Sequence, residues 1–208
     1  MSLLDGNVRL SRLYQIAQAN STDEHESQSF WNYYLSKVIF TEDAFYVDPG
    51  KPASAKDPLR RVDLVVKYFE AETYIPRVLV FYEAKKHSSS KTQMRDVEGQ
   101  AHEACATYCG NTGFTHVYAM TTLGTTARLW KFVAKSTLTP LFGSSKDIDR
   151  ESYIDAASSQ AYLIKDNLIR MKSFPPSQYE GQAYSQVGIS HTASATLVKT
   201  PLNRNFSN

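Results

Sequence analysis

Apolar residues recur at helical spacing from Phe30 to Val38: Phe30, Tyr34 and Val38, with Trp31 and Leu35 beside them. That is the wide apolar face of a helix packed on a core. Ser21-Thr22-Asp23-Glu24 predicts its start as a capping box, Ser21 at the N-cap and Glu24 three residues on. The pattern carries the helix to about Ile39, and a shorter helical stretch precedes it at Leu10–Ala19. Ala44–Val47 reads as a strand ended by Asp48-Pro49-Gly50, a turn signal, and residues 50–58 as a loop. The rhythm then changes. Arg61–Phe69 and Arg77–Lys85 are rich in Val, Leu, Phe and Tyr and apolar on both faces, as strands covered on two sides are.

Beyond the polar loop Ser88–Lys91, Thr92–Cys109 predicts a helix closed by Gly110 at its C-terminus. His116–Thr122 and Thr126–Val133 predict two strands about the turn Leu123-Gly124-Thr125. Ser152–Lys172 predicts a last helix, with Ile154, Leu163, Ile164, Leu168 and Met171 as its apolar residues. From residue 175 to 208 the chain is rich in Ser, Thr, Gln, Asn and Gly, which predicts a flexible polar tail. The order α-β-β-β-α-β-β-α implies one α/β domain over residues 1–174, a central β-sheet flanked by helices, followed by the tail.

Chemistry concentrates where charges interrupt the apolar strands. Glu83 and Lys85 are two apart and share a strand face, and Asp63 shares one with Val65. An antiparallel hairpin centred near Thr73 pairs residue i with 146 minus i, which sets Asp63 opposite Glu83. Cβ atoms so placed lie about 4.5–5.5 Å apart, a separation at which two carboxylates can hold one divalent ion, provided no bulge shifts the register. Two adjacent buried acids need a counter-charge, and hard oxygen ligands favour Mg²⁺ or Mn²⁺. The same residues also admit a plain structural role, Asp63 capping a strand end and Glu83 with Lys85 forming a solvated edge.

The Asp63…Glu83-Ala84-Lys85 pattern resembles the D-x(n)-E-x-K core of the PD-(D/E)xK nuclease superfamily. The resemblance covers roughly residues 21–172 and implies a restriction-endonuclease-like fold, a mixed sheet in the order α-β-β-β-α-β flanked by helices. It implies a Mg²⁺-dependent phosphodiesterase acting on DNA or RNA. Asp63 and Glu83 would bind the metal, the Ala84 carbonyl would be a third ligand, and Lys85 would serve the attacking water. Val62 stands where the family often has Pro. In RecB-type branches the helix after the third strand carries a Gln followed by a Tyr, for which Gln100 and Tyr108 are candidates at a longer spacing than usual. The first helix often adds a Glu near the metal, for which Glu26 is the candidate, its plain alternative being a favourable charge in a helix's first turn.

Composition narrows the picture further. A net charge of +2 in 208 residues does not advertise a nucleic-acid binder, so a basic patch must be local. Arg60, Arg61, Lys86, Lys91 and Arg95 are the candidates for phosphate contacts. No apolar run approaches the roughly 18 residues of a membrane span, and the start lacks the pattern of a secretory signal. Two cysteines, Cys105 and Cys109, four apart on one helix, fit buried thiols in a reducing, intracellular setting, cytoplasmic or nuclear. His102 shares their face, but a zinc site needs ligands from further elements. There is no phosphate-binding Gly-rich loop and no serine nucleophile elbow. The rival reading is a catalytically inactive nuclease-like module that binds nucleic acid or a protein partner, a homodimer included.

Overall fold

The computed structural model describes residues 1–50, 52–54, 57–87, 89–143 and 149–178, with backbone alone for 52–54 and 57–61. Its centre is a mixed seven-stranded sheet flanked by helices. Helices α1 (Val8–Ala19) and α2 (Glu24–Tyr34) lead into β1 (Phe45–Pro49), the short pair β2 (Pro52–Ser54) and β3 (Asp57–Arg61), then β4 (Leu64–Phe69) and β5 (Pro76–Lys85). Helix α3 (Lys91–Thr112) crosses over to β6 (His116–Leu123), followed by β7 (Thr126–Val133), β8 (Leu138–Pro140), β9 (Ile154–Asp155) and α4 (Tyr162–Ser173). The sheet runs β1-β4-β5-β6-β7-β8, with β9 also paired to β7. Within it only β5 and β6 pair in parallel, among the described residues.

Two apolar layers cover the sheet. Residues of α1, α2 and α4 pack with Leu64, Val66, Val80, Tyr82, Met120 and Leu129. On the other face α3 packs Ala101, Ala104, Cys105 and Tyr108 against Val65, Phe81, Ala119 and Trp130. Strand residues therefore divide by parity, as the two-residue repeat requires. One β-bulge interrupts this: Val66 pairs with Val80 and Lys67 with Val78, leaving Leu79 extra. Leu79 and Val80 consequently face the same layer, while Val78 and Phe81 face the other. On the Lys85 side of the bulge the register is residue i opposite 146 minus i, as predicted.

Several element boundaries differ from the expectation. Asp23, not Ser21, caps α2, its carboxylate accepting from the His25 N–H at 2.9 Å. The helix does reach Ile39, through a wide turn at Leu35–Ile39 in which Phe40 N–H donates to the Leu35 carbonyl. Within residues 50–58, read as a loop, β2 forms and β3 begins. The strand expected over Arg61–Phe69 breaks between β3 and β4, at Val62-Asp63. Helix α3 runs through Gly110 and ends at Gly113, whose φ of 74° is the left-handed conformation that Gly tolerates. The long helix expected over Ser152–Lys172 begins only at Tyr162. Before it, Ile154 and Asp155 pair with β7, and the Asp155 carboxylate accepts from the Ala157 N–H at 2.8 Å and turns the chain away from helix. β8 was not foreseen, having three residues and no periodicity to read. Of the predicted tail, residues 175–178 lie on the fold. The Pro176 carbonyl accepts from the Tyr68 hydroxyl at 2.8 Å, and that of Ser177 from the Thr115 N–H. Residues 179–208 lie outside the described residues.

The turn between β6 and β7 ties three elements together. Gly124 N–H donates to the Lys85 carbonyl at 2.8 Å, and the Gly124 carbonyl accepts from the Trp31 indole at 2.8 Å. Gly124 has φ +62°, and a Cβ there would lie 2.6 Å from His87 Cβ. Gly124→Ala therefore combines a strained backbone with an overlap and should destabilise the fold by about 1–3 kcal/mol, read as a lower urea midpoint with unchanged slope. An unchanged midpoint would mean that His87 moves aside at no cost.

Candidate active site

Asp63 stands at the N-terminal edge of β4, Lys85 at the C-terminal end of β5, and Glu24 opens α2. The parallel neighbour β6 ends at Leu123, opposite Lys85. Ligand sites of open α/β sheets form outside the carboxyl ends of parallel strands, and this cluster occupies such an end.

Regular continuation of β4 would put Asp63 on the face of Val65, beside Glu83. The chain instead breaks. Val62 enters the α3-side core, taking the place that strand parity assigns to Asp63. The Asp63 carboxylate then accepts the Ala84 N–H at 2.8 Å, standing in for the backbone carbonyl that would continue the ladder. The Asp63 carbonyl accepts from Gly50 N–H at 2.9 Å, which holds the residue from the β1 side as well. Asp63 is thus both a strand-end cap and a largely buried acid.

Around Asp63 the structure gathers Glu24, Gln28 and Lys85. Lys85 Nζ lies 3.8 Å from Glu24 Oε2. Gln28 Nε2 donates to Glu24 Oε1 at 3.2 Å, and Gln28 also favours the ionised form of Asp63. Burial raises the pKa of Asp63, against the pull of the Ala84 N–H, Lys85 and Gln28. Burial likewise raises that of Glu24; Lys85 opposes the shift, and the Asp63 charge adds to it. Two acids therefore share one lysine.

Glu83, 5% exposed in the interior of the sheet, is no solvated edge. By parity it lies on the α3-covered face with Phe81, and its charge helps raise the buried Cys105 thiol, after burial itself and the neighbouring Cys109. It heads a polar row across three strands, opposite Thr121 on β6, which is in turn opposite Arg128 on β7. Arg128 is fully buried, its guanidinium 3.5 Å from Glu98 of α3 and 4.2 Å from the Trp130 ring centre. Tyr153 donates to Glu98 at 3.0 Å, and the Trp130 indole donates to Thr121 at 2.9 Å.

Gln100 lies on α3, with a buried Oε1 that has no hydrogen-bond partner. Tyr108 packs on Phe81, and its hydroxyl accepts from the Val78 N–H at 3.1 Å, far down the strand from Lys85. Glu26 is in the first turn of α2, but the acid of that helix that reaches Asp63 is Glu24. Lys91 and Arg95 are exposed at the start of α3, and Lys86 is half-buried before it. Arg60 and Arg61 belong to β3, with side chains outside the described residues. Sequence reading missed Glu24 and Gln28 as site residues and Glu98 with Arg128 as a buried pair. The spacing Glu24, Gln28, Trp31 runs along one helix face and could have revealed the first two.

Among the described residues, no three His, Cys, Asp or Glu side chains converge as a ready ion cage, and no helix is long and apolar enough to cross a membrane. Compared with known proteins, the chain matches no protein-family model, no curated protein and no solved structure.

Proposed function

We propose that this chain is a metal-dependent nuclease that hydrolyses phosphodiester bonds of DNA or RNA. The observation that carries this reading is the gathering of Asp63, Glu24, Gln28 and Lys85 at the carboxyl end of the parallel strands. The donor set fits Mg²⁺ or Mn²⁺, being carboxylate oxygen, and two raised acids sharing one lysine are short of positive charge. Asp63 and Glu24 would hold the ion, with the Ala84 carbonyl as a further ligand that the family resemblance implies; Glu83, which the resemblance also implies, is turned to the α3-covered face away from them. When bound, the ion would offset the charge of a phosphodiester and acidify water.

The protein's own groups do the rest. The Ala84 N–H fixes one oxygen of Asp63, and Gln28 sets the rotamer of Glu24. Lys85 Nζ donates a hydrogen bond to a phosphate oxygen or passes a proton at the scissile ester. Lys86, Lys91 and Arg95 draw the backbone of the nucleic acid to this end of the sheet, and the N-terminus of α3 adds its positive dipole end.

Calorimetry with Mg²⁺ and Mn²⁺, alongside cleavage of single- and double-stranded DNA and RNA, tests the reading. Wild type should bind and cut, while Asp63→Ala and Glu24→Ala should lose ion binding. An absence of ion binding in the wild type sinks the catalytic reading. The rival is an inactive module binding nucleic acid or a protein partner. One observation favours it: Asp63 and Glu83 sit on different faces of the strand pair, each with structural work to do.

A pH prediction follows from burial. Because folding raises the pKa of Asp63, ionising it costs the fold, and stability declines as pH rises from the ordinary carboxylate value through the raised one. Asp63→Asn keeps an acceptor for the Ala84 N–H and removes that cost. Its Tm should match the wild type near pH 3 and exceed it at pH 7 in chelator. Saturating Mg²⁺ should reverse the order, since at 100 times Kd an ion adds about 2.7 kcal/mol to the state that binds it. A lower Tm for Asp63→Asn at pH 7 in chelator would show that the carboxylate charge stabilises the fold.

A further inference from the structure

At the opposite end of β6 from the acid cluster lies a cavity of about 540 Å³ between the sheet and α4. Its size suits a small organic ligand. His116, which lines it, is seven residues before Leu123 on the same strand, about 23 Å away at ~3.3 Å per residue. The cavity is therefore separate from the site proposed above.

Its lining is basic. Lys131 of β7 and Arg170 of α4 both face it, and no Asp or Glu lines it. Neither cation has a carboxylate partner among the described residues. Asp166, one turn before Arg170 on α4, does not line the cavity. Two cations without a carboxylate partner on one concave wall give it a positive potential that attracts an anion. Neutral polar groups sit beside them. His116 Nε2 is buried with no hydrogen-bond partner, and Asn167 is on the same wall. Burial, and then the charge of Lys131, hold the His116 imidazole below its usual pKa.

The rest of the wall is largely apolar. Met171 and Leu141 line it, and so does Phe174, a residue 58% exposed, with the Arg170 guanidinium 5.7 Å from its ring centre. Phe174 is held in place through its carbonyl, which accepts from the Tyr118 hydroxyl at 2.9 Å. An exposed aromatic residue on a fixed backbone, with the Arg170 guanidinium over its ring and Lys131 on the same wall, presents one surface for a planar body and another for a phosphate.

We infer that this cavity binds a phosphate monoester carried on a planar body, of the size of a nucleoside monophosphate. Lys131 and Arg170 take the phosphate, His116 and Asn167 give hydrogen bonds, and Phe174 stacks. The inference does not depend on the acid cluster's being catalytic.

Calorimetry on the full chain with a nucleoside 5′-monophosphate, the same nucleoside without phosphate, and inorganic phosphate tests it. The monophosphate should bind at least about tenfold tighter than either fragment, and more weakly as salt rises. Lys131→Ala and Arg170→Ala should each weaken it about tenfold or more, the loss of a charge-assisted hydrogen bond. Asp63→Ala should leave it unchanged, whatever that variant does to ion binding. Equal binding of the bare nucleoside, no effect of either cation variant, or no binding of any of the three probes overturns the inference.

Discussion

Lys85→Met should lower metal-dependent cleavage about 10²- to 10⁴-fold, the range for removing a positioned proton-transfer group. The methionine keeps most of the aliphatic stem, so packing at the end of β5 is little changed. The ammonium is what is lost. It is the positive side chain within 4 Å of Glu24, and the Asp63 carboxyl feels it as well. Without it both acids should become harder to ionise, because the charge that opposes their upward shift has gone. Two readouts separate a role in the reaction from a role in charge balance. A rate that recovers as pH rises would mean that Lys85 acts only by easing ionisation of its neighbours. A rate that stays low at every pH, with ion affinity intact, would place it at the reacting phosphate. A rate equal to the wild type would remove Lys85 from the mechanism.

Arg128→Met should destabilise the fold by about 3–5 kcal/mol, the usual cost of leaving one partner of a buried ion pair behind. The guanidinium is wholly enclosed and Glu98 is only 11% exposed. Removing the cation leaves that carboxylate with the Tyr153 hydroxyl, and the indole of Trp130 loses the charge above it. Urea unfolding at pH 7 measures the loss. Adding Glu98→Gln to Arg128→Met should recover part of it, since no uncompensated charge then remains. A loss under about 1 kcal/mol in the single variant would mean that water reaches the row. The row also contains Glu83, so Arg128→Met should alter ion binding if Glu83 is a ligand and leave it alone if it is not. That comparison speaks directly to the two functional readings.

Much of the architecture could be read from periodicity. Helix α2, β5, β6 and β7 carry long, regular patterns, and even the turn at Gly124 was legible. The register near Lys85 came from symmetry about the hairpin, and it holds because the bulge at Leu79 lies on the far side of the Val66–Val80 pair. The errors have local causes. Gly110 resembles a helix end, but a second glycine three residues on has the left-handed backbone. Ile154 fits a helical stripe, yet the Asp155 side chain and an edge of β7 claim that stretch as strand.

The candidate site was legible as a set of residue types and not as a geometry. Asp63, Glu83 and Lys85 stand out because charges in apolar strands are rare. A facing pair of Asp63 and Glu83 requires that β4 continue through Asp63. The strand does not, because the carboxylate itself takes the Ala84 N–H, a side-chain bond that no repeat in the sequence announces. Glu24 was read only as part of a cap, and Arg128 only as a strand residue, since a buried charge pair is invisible until two distant segments are packed together.

The bonds at Gly124 bear on the kinetics of ligand capture. One residue joins the end of β5, the β6–β7 turn and the indole of α2, so the elements carrying Lys85, Glu24 and Gln28 are cross-braced before any ligand arrives. A frame of this kind has little ordering entropy left to lose on binding. Association should then be limited by diffusion and charge steering, with no slow closing step. It also follows that loosening the brace, as Trp31→Phe would by deleting the indole N–H, should slow capture and steepen its temperature dependence while every charged group stays in place.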